Sequence, residues 1–459
     1  KTWTNTVKGM AGLAPNAWIN KVDASHFDAG TAYVSASHWQ DGDYAPYFYR
    51  TADFGRTWTK ITGGLPARGW SHVIREDPKV RGLLYAGTEF GLYASWNDGG
   101  AWTSIRNSIP PVAVRDIAIH PRDNDVIVAT HGRGIYILDD AAPLQLIGQA
   151  AKTDALLFPI RPAIRWAGSG GTFRANERDW IAPNPPSGAW INVYLKAAPT
   201  SPVAITISDK AGKTVRTLRQ RGEAGVNRFV WNLRHDIPGA PSPGRAGAGA
   251  TVEQAPAGPS TGSGQGGRGG AQGPAVLPGE YTVKVDAGGT VLTESVTVTL
   301  DPAVQASPAD MDAQTRASFA ALALVAKVND VISRVDSMSG QLTALDAELA
   351  ARSAAPAVRS QVKQAIETLK KFRDEELARP LPGLGYRQYP RLREDVQSLA
   401  GYLGRGVRAP NDGEVARMRD LTALVDQAVA KVNGIIAKDI AAINEGMKSS
   451  PRIAVESIK

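Results

Sequence analysis

Two hydrophobic periods divide the chain. Up to about residue 300, apolar positions alternate with polar ones in short runs, the period of half-buried β-strands. From Ser307 onward they recur every three to four residues, the period of an amphipathic helix. At the front, Trp70–Ile74, Gly82–Thr88, Gly91–Trp96 and Trp102–Ile105 are four such short runs with turn residues between them. The pattern repeats: Tyr49, Tyr93 and Tyr136 recur at spacings of 44 and 43. The stretches around Tyr33, Tyr85 and Val128 recur at 52 and 43, and the longer interval contains one insertion, His38–Tyr47. Four short strands in a unit of about 44 residues predict a β-propeller blade. Residues 1–145 therefore read as three blades, the third as the last.

Behind them, residues 146–187 read as a connecting segment. Residues 188–303 return to period 2, with runs at Trp190–Leu195, Val203–Ser208, Thr214–Arg219, Arg228–Leu233, Glu280–Val285 and Thr290–Leu300. Asp209–Lys213 and Asp286–Gly289 are hairpin signals. This spacing predicts an immunoglobulin-like β-sandwich. Residues 238–275 interrupt it with 12 glycines, 6 prolines and no aromatic residue, a composition that cannot bury a core. Residues 307–450 predict an antiparallel helical bundle. Leu322, Val325, Val328, Ile332, Val335, Met338, Leu342, Leu345 and Leu349 form one stripe, and Val358, Val362, Ile366, Leu369 and Phe372 a second. Further helices are expected near Leu392–Leu403 and Glu414–Met447, with Gly383–Pro390 as a loop.

A local motif sharpens the reading of the front. Thr51, Asp53, Gly55 and Trp58 match Ser95, Asn97, Gly99 and Trp102 in the pattern Ser/Thr-x-Asp/Asn-x-Gly-x-x-Trp, with Asp98 inside the second copy. A short polar side chain can accept backbone N–H bonds within its own turn, and glycine supplies the backbone conformation other residues resist. The motif resembles the Asp box, or bacterial neuraminidase (BNR) repeat, of sialidase-like and sortilin-like propellers. That resemblance implies structural roles for Asp53 and Asp98. The run from Val114 to Asp140, with His131-Gly132-Arg133-Gly134, resembles the propeller end of bacterial sortilin-like proteins often labelled glycosyl hydrolases. The resemblance extends to Leu157-Phe158-Pro159 and Pro183–Ala189. Val215–Leu218, Ala224–Asn227, Trp231 and Pro278–Tyr281 resemble the Ig-like module of flagellar hook-capping proteins, which implies a spacer.

Composition then narrows the chemistry. The 459 residues include no cysteine, which excludes disulfides, thiolate nucleophiles and zinc–thiolate sites. Six histidines show no convincing metal spacing, so neither metal nor cofactor is expected. No apolar run is long enough to span a bilayer as a helix. The net charge of +8 is spread along the chain and outlines no nucleic-acid footprint. The glycines of the 238–275 insert are not followed by the Gly-Lys-Ser/Thr of a phosphate loop.

In a four-stranded blade the first and third turns share one end and the middle turn lies at the other. The end opposite the Asp motif is thus built from Ser37–Pro46, Thr88–Gly91 and His131–Gly134. The insertion places His38, Trp39, Asp41, Asp43, Tyr44 and Tyr47 there. The expected function is extracytoplasmic (periplasmic, cell-surface or secreted) recognition or scaffolding of a protein or glycan. His38, Trp39, Tyr44, Tyr47, His131 and Arg133 are candidate ligand contacts. The alternative is a glycoside hydrolase using Asp41, Asp43 or Glu89 as a carboxylate pair. The arginine triad and Tyr/Glu pair of sialidases cannot be assigned to these residues. The two aspartates of xyloglucanase-like enzymes lie on separate parts of tandem propellers, which three blades do not supply. Because propeller closure protects strand edges, an upstream propeller segment is expected as partner, from the same precursor or a separate chain. Its interface should run along the first blade, with Trp18 and Ile19.

Overall fold

The computed structural model describes residues 3–166, 185–237, 273–352, 355–381, 388–404, 406–447 and 453–458. Of the segments singled out above, residues 238–272, 383–387 and 183–184 lie outside these.

The alternating runs at the front pair into successive antiparallel sheets. The first has four strands in sequence order: β1 (Trp18–Ala24), β2 (Ala32–His38), β3 (Asp43–Thr51) and β4 (Thr59–Lys60). The second repeats it with β5 (Ser71–Glu76), β6 (Leu84–Thr88), β7 (Gly91–Ser95) and β8 (Thr103–Ser104). The third has three strands, β9 (Val114–Ile119), β10 (Val126–Thr130) and β11 (Ile135–Leu138). Successive side chains on a strand point to opposite faces, so each sheet offers one apolar face to either neighbour. Tyr33, Phe48 and Ile61 of the first unit meet Ile74, Leu84, Ala86 and Trp102 of the second. Val73, Tyr85, Leu92 and Ala94 of the second meet Val114, Ile117, Val126 and Val128 of the third. The result is a stack of blade-like sheets, a propeller-like arrangement.

The turns joining the third strand to the fourth are built alike in both four-stranded sheets. Phe54 and Gly55 hold φ of 59° and 78°, and Asp98 and Gly99 hold 58° and 85°. A Cβ on Gly99 would also meet Ile61 at 2.7 Å, so glycine is needed there twice over. The tryptophan closing the second turn, Trp102, is buried against Phe48 at a centroid distance of 5.8 Å and donates its indole N–H to the Ile61 carbonyl at 2.8 Å. Trp58, closing the first turn, is only partly buried.

A helix, α1 (Ala142–Ala150), leads out of the third sheet. Then follow β12 (Ala155–Leu157), β13 (Ala163–Arg165), β14 (Ala189–Leu195), β15 (Val203–Ser208), β16 (Thr214–Gln220), β17 (Gly225–Trp231), β18 (Gly279–Ala287) and β19 (Thr290–Leu300). They form a three-stranded sheet, β12-β14-β17, and a five-stranded sheet, β13-β19-β18-β15-β16, which share one apolar core. Within the segment 146–187 lie the end of α1 and two strands, β12 and β13. Each of these strands is three residues long, too short for its alternation to show in the sequence. At the far end of the insert, Pro274 accepts a backbone bond from His235, and Ala275 bridges Arg234.

A buried polar joint ties the third sheet to this unit. Asp140, at φ 62°, accepts from the Asn192 amide at 2.8 Å, and Asn192 in turn accepts from Arg228 Nε at 2.9 Å. Arg228 also donates to the Asp139 carbonyl at 2.8 Å. Arg161 and Arg228 lie over the Trp190 ring at 4.0 and 4.4 Å. Burial and the neighbouring Asp125 raise the carboxyl pKa of Asp139 above its usual value.

The C-terminal part is helical: α2 (Pro308–Ala351), α3 (Pro356–Phe372), α4 (Leu392–Leu403), α5 (Asp412–Ile435) and α6 (Ala441–Gly446). Ser307 caps α2 by accepting the Asp310 N–H, and Asn411 with Glu414 forms a capping box on α5. The leucine and valine stripes of these helices share one core with Ile453 and Ile458. Wider turns at Arg373–Leu377 and Ile436–Ile440 interrupt the helical runs. Arg165 and Arg234 reach from the two-sheet unit to the carbonyls of Gly406 and Gly404.

Because Trp102 fills the space between two sheets, Trp102→Ala is expected to cost about 3–5 kcal/mol through the cavity it leaves. Trp58→Ala should cost clearly less. Chemical denaturation of the two variants beside the parent chain measures the difference.

Candidate functional site

The middle turns converge on Trp70, the residue immediately before β5. After His38 ends β2, a single 3₁₀ turn, Trp39–Asp41, closes on Gly42 in the left-handed conformation at φ 84°. This turn lays Trp39 on Trp70, with ring centroids 5.7 Å apart and planes 23° from parallel. Tyr44 approaches the same ring at 5.6 Å, and Phe90, from the β6–β7 turn, meets it edge-on at 6.1 Å. Backbone bonds hold the frame: Gly69 N–H donates to the Tyr44 carbonyl at 2.9 Å, and Glu89 N–H to the Trp70 carbonyl at 3.0 Å. Trp39, Tyr44 and Phe90 remain 41%, 38% and 50% exposed. The Arg68 guanidinium lies 5.0 Å from the Tyr44 ring centre. The Trp70 indole N–H is buried with no hydrogen-bond partner.

Beneath this aromatic surface sits a polar triad drawn from the second and third sheets. His72 Nε2 lies 2.8 Å from Glu89 Oε2, and His72 Nδ1 lies 3.3 Å from Arg115 Nη1. A guanidinium has only donors. Nδ1 therefore accepts, Nε2 carries the proton, and His72 is a neutral ring donating to Glu89. Burial, seconded by the Arg115 charge and opposed by Glu89, lowers the His72 pKa and keeps it neutral. Arg115 is itself half-exposed, with a second nitrogen 4.0 Å from Glu89. His131 and Arg133 are exposed on the β10–β11 turn beside it, where Gly132 and Gly134 both take positive φ.

The three candidate carboxylates are each already engaged. Asp41 pairs with His38 at 2.7 Å, and Glu89 with His72. Asp43 accepts the Tyr47 hydroxyl at 2.5 Å and the Ala45 N–H at 3.0 Å. The Tyr47 bond holds the Asp43 carboxyl below its usual pKa, while it pushes the Tyr47 phenol up to about 12. Tyr47 itself is a correction to the sequence reading. Its ring is buried in the first sheet's core with Val34, Ala36 and Tyr49, under Lys60, and is not offered to a ligand. Strand alternation turns it inward where neighbouring Tyr44 turns outward. Trp70, His72, Phe90, Arg68 and Arg115 escaped the sequence reading. Phe90 lies within a middle turn already singled out. The others belong to the sheet-to-sheet connection and to strands, and only stacking brings them to this surface.

The two repeated turns at the opposite end have matching hydrogen bonds. Thr51 Oγ1 bonds Asp53 at 2.8 Å and accepts the Gly55 N–H at 2.9 Å, while Asp53 Oδ1 accepts the Thr57 N–H at 2.9 Å. Ser95 bonds Asn97 at 2.9 Å and accepts the Gly99 N–H at 2.9 Å, while Asn97 accepts the Ala101 N–H at 2.9 Å. The turn acceptor of the second copy is thus Asn97. Asp98 has a different task, accepting the Tyr33 hydroxyl at 2.9 Å and facing Arg50 Nε at 3.5 Å across to the first sheet. Among the described residues, no three His, Asp or Glu side chains gather so as to hold a metal ion, and no helix is long and apolar enough to cross a membrane.

No family model and no curated protein matches this chain. Among solved structures it overlaps the GH74 enzyme of Niastella koreensis at 11% identity, over 47% of this chain and 38% of that one, with a TM-score of 0.23. It overlaps YCF48 bound to a D1 peptide at 14% identity, over 44% and 53%, with a TM-score of 0.18. An ancestral GH74 enzyme gives 11% identity, 45% and 28% coverage, and a TM-score of 0.19. The chain spans about half or less of each of these proteins. Scores this low carry no argument, and the propeller-like arrangement rests on the sheets described above.

The Thr57 hydroxyl and N–H draw the Asp53 pKa down to about 2. A depressed carboxyl pKa stabilises the fold above the unfolded value and loses that contribution as pH falls through the folded one. Asp53→Ala should therefore lower the melting temperature at pH 7. Asp53→Asn, which copies the acceptor used at Asn97, should lower it less, and should flatten the acid dependence between about pH 4 and pH 2. Melting curves of both variants across that range are the check.

Proposed function

We propose that this chain is an extracytoplasmic recognition protein whose ligand, a protein or a glycan, docks on the aromatic surface around Trp70. The observation that carries the reading is the continuous group of exposed rings, Trp39, Tyr44 and Phe90, assembled from two sheets around one partly covered tryptophan. Large rigid rings lose little conformational entropy on binding and present both an apolar face and a polar edge. Arg68 and Arg115 border them, with His131 and Arg133 exposed on the neighbouring β10–β11 turn, which favours a ligand with negative or acceptor groups next to an apolar or ring surface. On this reading the repeated turns are Asp boxes of a sialidase-like or sortilin-like propeller. The two-sheet unit is an Ig-like spacer, and the helices form an antiparallel bundle.

The alternative, glycoside hydrolysis, calls for a protonated carboxylic acid poised beside a second, free carboxylate. Asp43 is held ionised by Tyr47, and Asp41 and Glu89 are each bonded to a histidine. These arrangements suit fixed structural or positioning charges better than acid–base turnover, and they favour binding.

The test is a glycan array and a peptide array probed in parallel with a polysaccharide hydrolysis screen. Trp39→Ala combined with Tyr44→Ala is expected to weaken array binding at least about tenfold, with the melting temperature nearly unchanged. Unchanged binding in the double variant, or polysaccharide hydrolysis abolished by Glu89→Gln, would overturn the recognition reading.

A further inference from the structure

A short segment outside the helices completes their core. Ile453 and Ile458 are buried among the helical stripes, and Val455 packs partly against them, while Ala454, Glu456 and Ser457 stay exposed. Among the described residues, no backbone bond ties this segment to another backbone. Side chains hold it instead. Asn444 of α6 accepts the Ile453 N–H at 2.8 Å and donates to the Ile453 carbonyl at 3.0 Å. Gln341 of α2 does the same for Ala454, at 2.8 and 3.1 Å. Asn433 of α5 does the same for Ile458, at 2.8 and 2.9 Å. Arg334 of α2 donates to the Glu456 carbonyl. A carboxamide carries an acceptor and a donor side by side, as a peptide unit does. Three of them therefore grip the segment as a neighbouring strand would, each exchanging both bonds with one residue. Asn433 and Asn444 stand 11 positions apart, a rise of about 16 Å along a helical run. Ile453 and Ile458 cover it in 5 steps of about 3.3 Å, the rise of an extended chain. The seated segment also leaves room. An open cleft of about 400 Å³ lies between Ala454, Val455 and Glu456 and the α2 residues Ser333, Arg334 and Ser337.

We propose that the groove between α2 and the α5–α6 run is a receptor for an extended segment of a partner protein, with aliphatic side chains at its first, third and sixth positions. Ile453–Ile458 is the resident occupant and shows the chemistry the groove accepts. The grip reads main chain, and only Ile453, Val455 and Ile458 contribute side-chain identity, through apolar contact. Main-chain bonds with a few side-chain pockets are how extended peptides from different proteins come to share one groove. The resident segment keeps its place chiefly by being tethered, which gives it a high effective concentration. A partner segment with larger middle side chains also fills the open cleft, and so gains contacts the resident lacks. This groove lies in the helices, apart from the Trp70 surface, and does not depend on a ligand there.

The probe is a fluorescein-labelled peptide with the sequence of residues 451–459, titrated into the full chain and followed by anisotropy. The parent should bind it weakly, because its own segment competes. Ile453→Asp with Ile458→Asp empties the groove, and this variant should bind the peptide at least about tenfold tighter. Adding Gln341→Leu and Asn433→Leu should cancel that gain, and a peptide with aspartate at both isoleucine places should not bind. No binding to the emptied variant would overturn the proposal. Hydrogen exchange on the parent is a second readout that needs no variant. The N–H groups of Ile453, Ala454 and Ile458 should exchange at least about tenfold faster than those of Val328 and Val335 in the α2 core. Equal protection would show that the segment never leaves the groove, and would sink the proposal as well. Sedimentation tests the occupant: a parent chain that dimerises with rising concentration, and that the peptide dissociates, would put a second copy in the groove and overturn the assignment to a partner protein.

Discussion

Burial of both faces of the second sheet is the constraint on which the front of this molecule depends. An isolated four-stranded sheet cannot hide two apolar faces, so it must stand between two others. Ile74, Leu84 and Ala86 pack to one side, Tyr85, Leu92 and Ala94 to the other, and all are essentially inaccessible to water. Trp70 immediately precedes the first strand of this middle sheet. Its place between neighbours is what brings Trp39 and Tyr44 from the first sheet, and Arg115 from the third, to one surface.

Side-chain polar bonds then fix the spacing of the stack. Arg75 spans Asp23 of the first sheet and Asp116 of the third, at 2.8 and 3.4 Å. Tyr33 reaches both Glu76 and Asp98. Tyr85 donates to Asp77, which also accepts from Gln145 of α1. Burial and the adjoining carboxylates raise the phenol pKa of both Tyr33 and Tyr85, so each stays a donor across the ordinary pH range. Buried polar groups are tolerable only when partnered, and here Arg75 and Tyr33 find partners on neighbouring sheets and Asp77 finds one on α1. These bonds therefore specify the relative placement of sheets that apolar contact alone would leave free to slide. The Asp140–Asn192–Arg228 joint does the same between the third sheet and the unit behind it.

The same economy of partners shapes the chemistry of the exposed end. Carboxylates that a sequence reader counts as catalytic candidates are drawn into local bonds: Asp41 by the 3₁₀ turn, Asp43 by Tyr47, Glu89 by His72. Apart from the Asp41 carboxylate, still 62% exposed beside His38, what faces solvent there is aromatic and basic. A surface of that kind gains binding energy from ring contact and long-range attraction rather than from proton transfer.

How much of this was legible beforehand depended on the range of the interaction. The 44-residue recurrence of Tyr49, Tyr93 and Tyr136, the paired Thr51–Trp58 and Ser95–Trp102 turns, and the leucine and valine stripes after Ser307 all come from contacts local in sequence. Strand alternation, helical period and turn chemistry act over a few residues, so residue identity alone determines them. Other features were decided only in three dimensions. Tyr47 turned out to be core and Trp70 the centre of the exposed end. β12 and β13 joined sheets whose other strands lie up to 135 residues away. In each case the deciding partner comes from another sheet or another part of the chain. One residue of register separates an inward side chain from an outward one, and that register is set by whichever face finds an apolar neighbour to cover it.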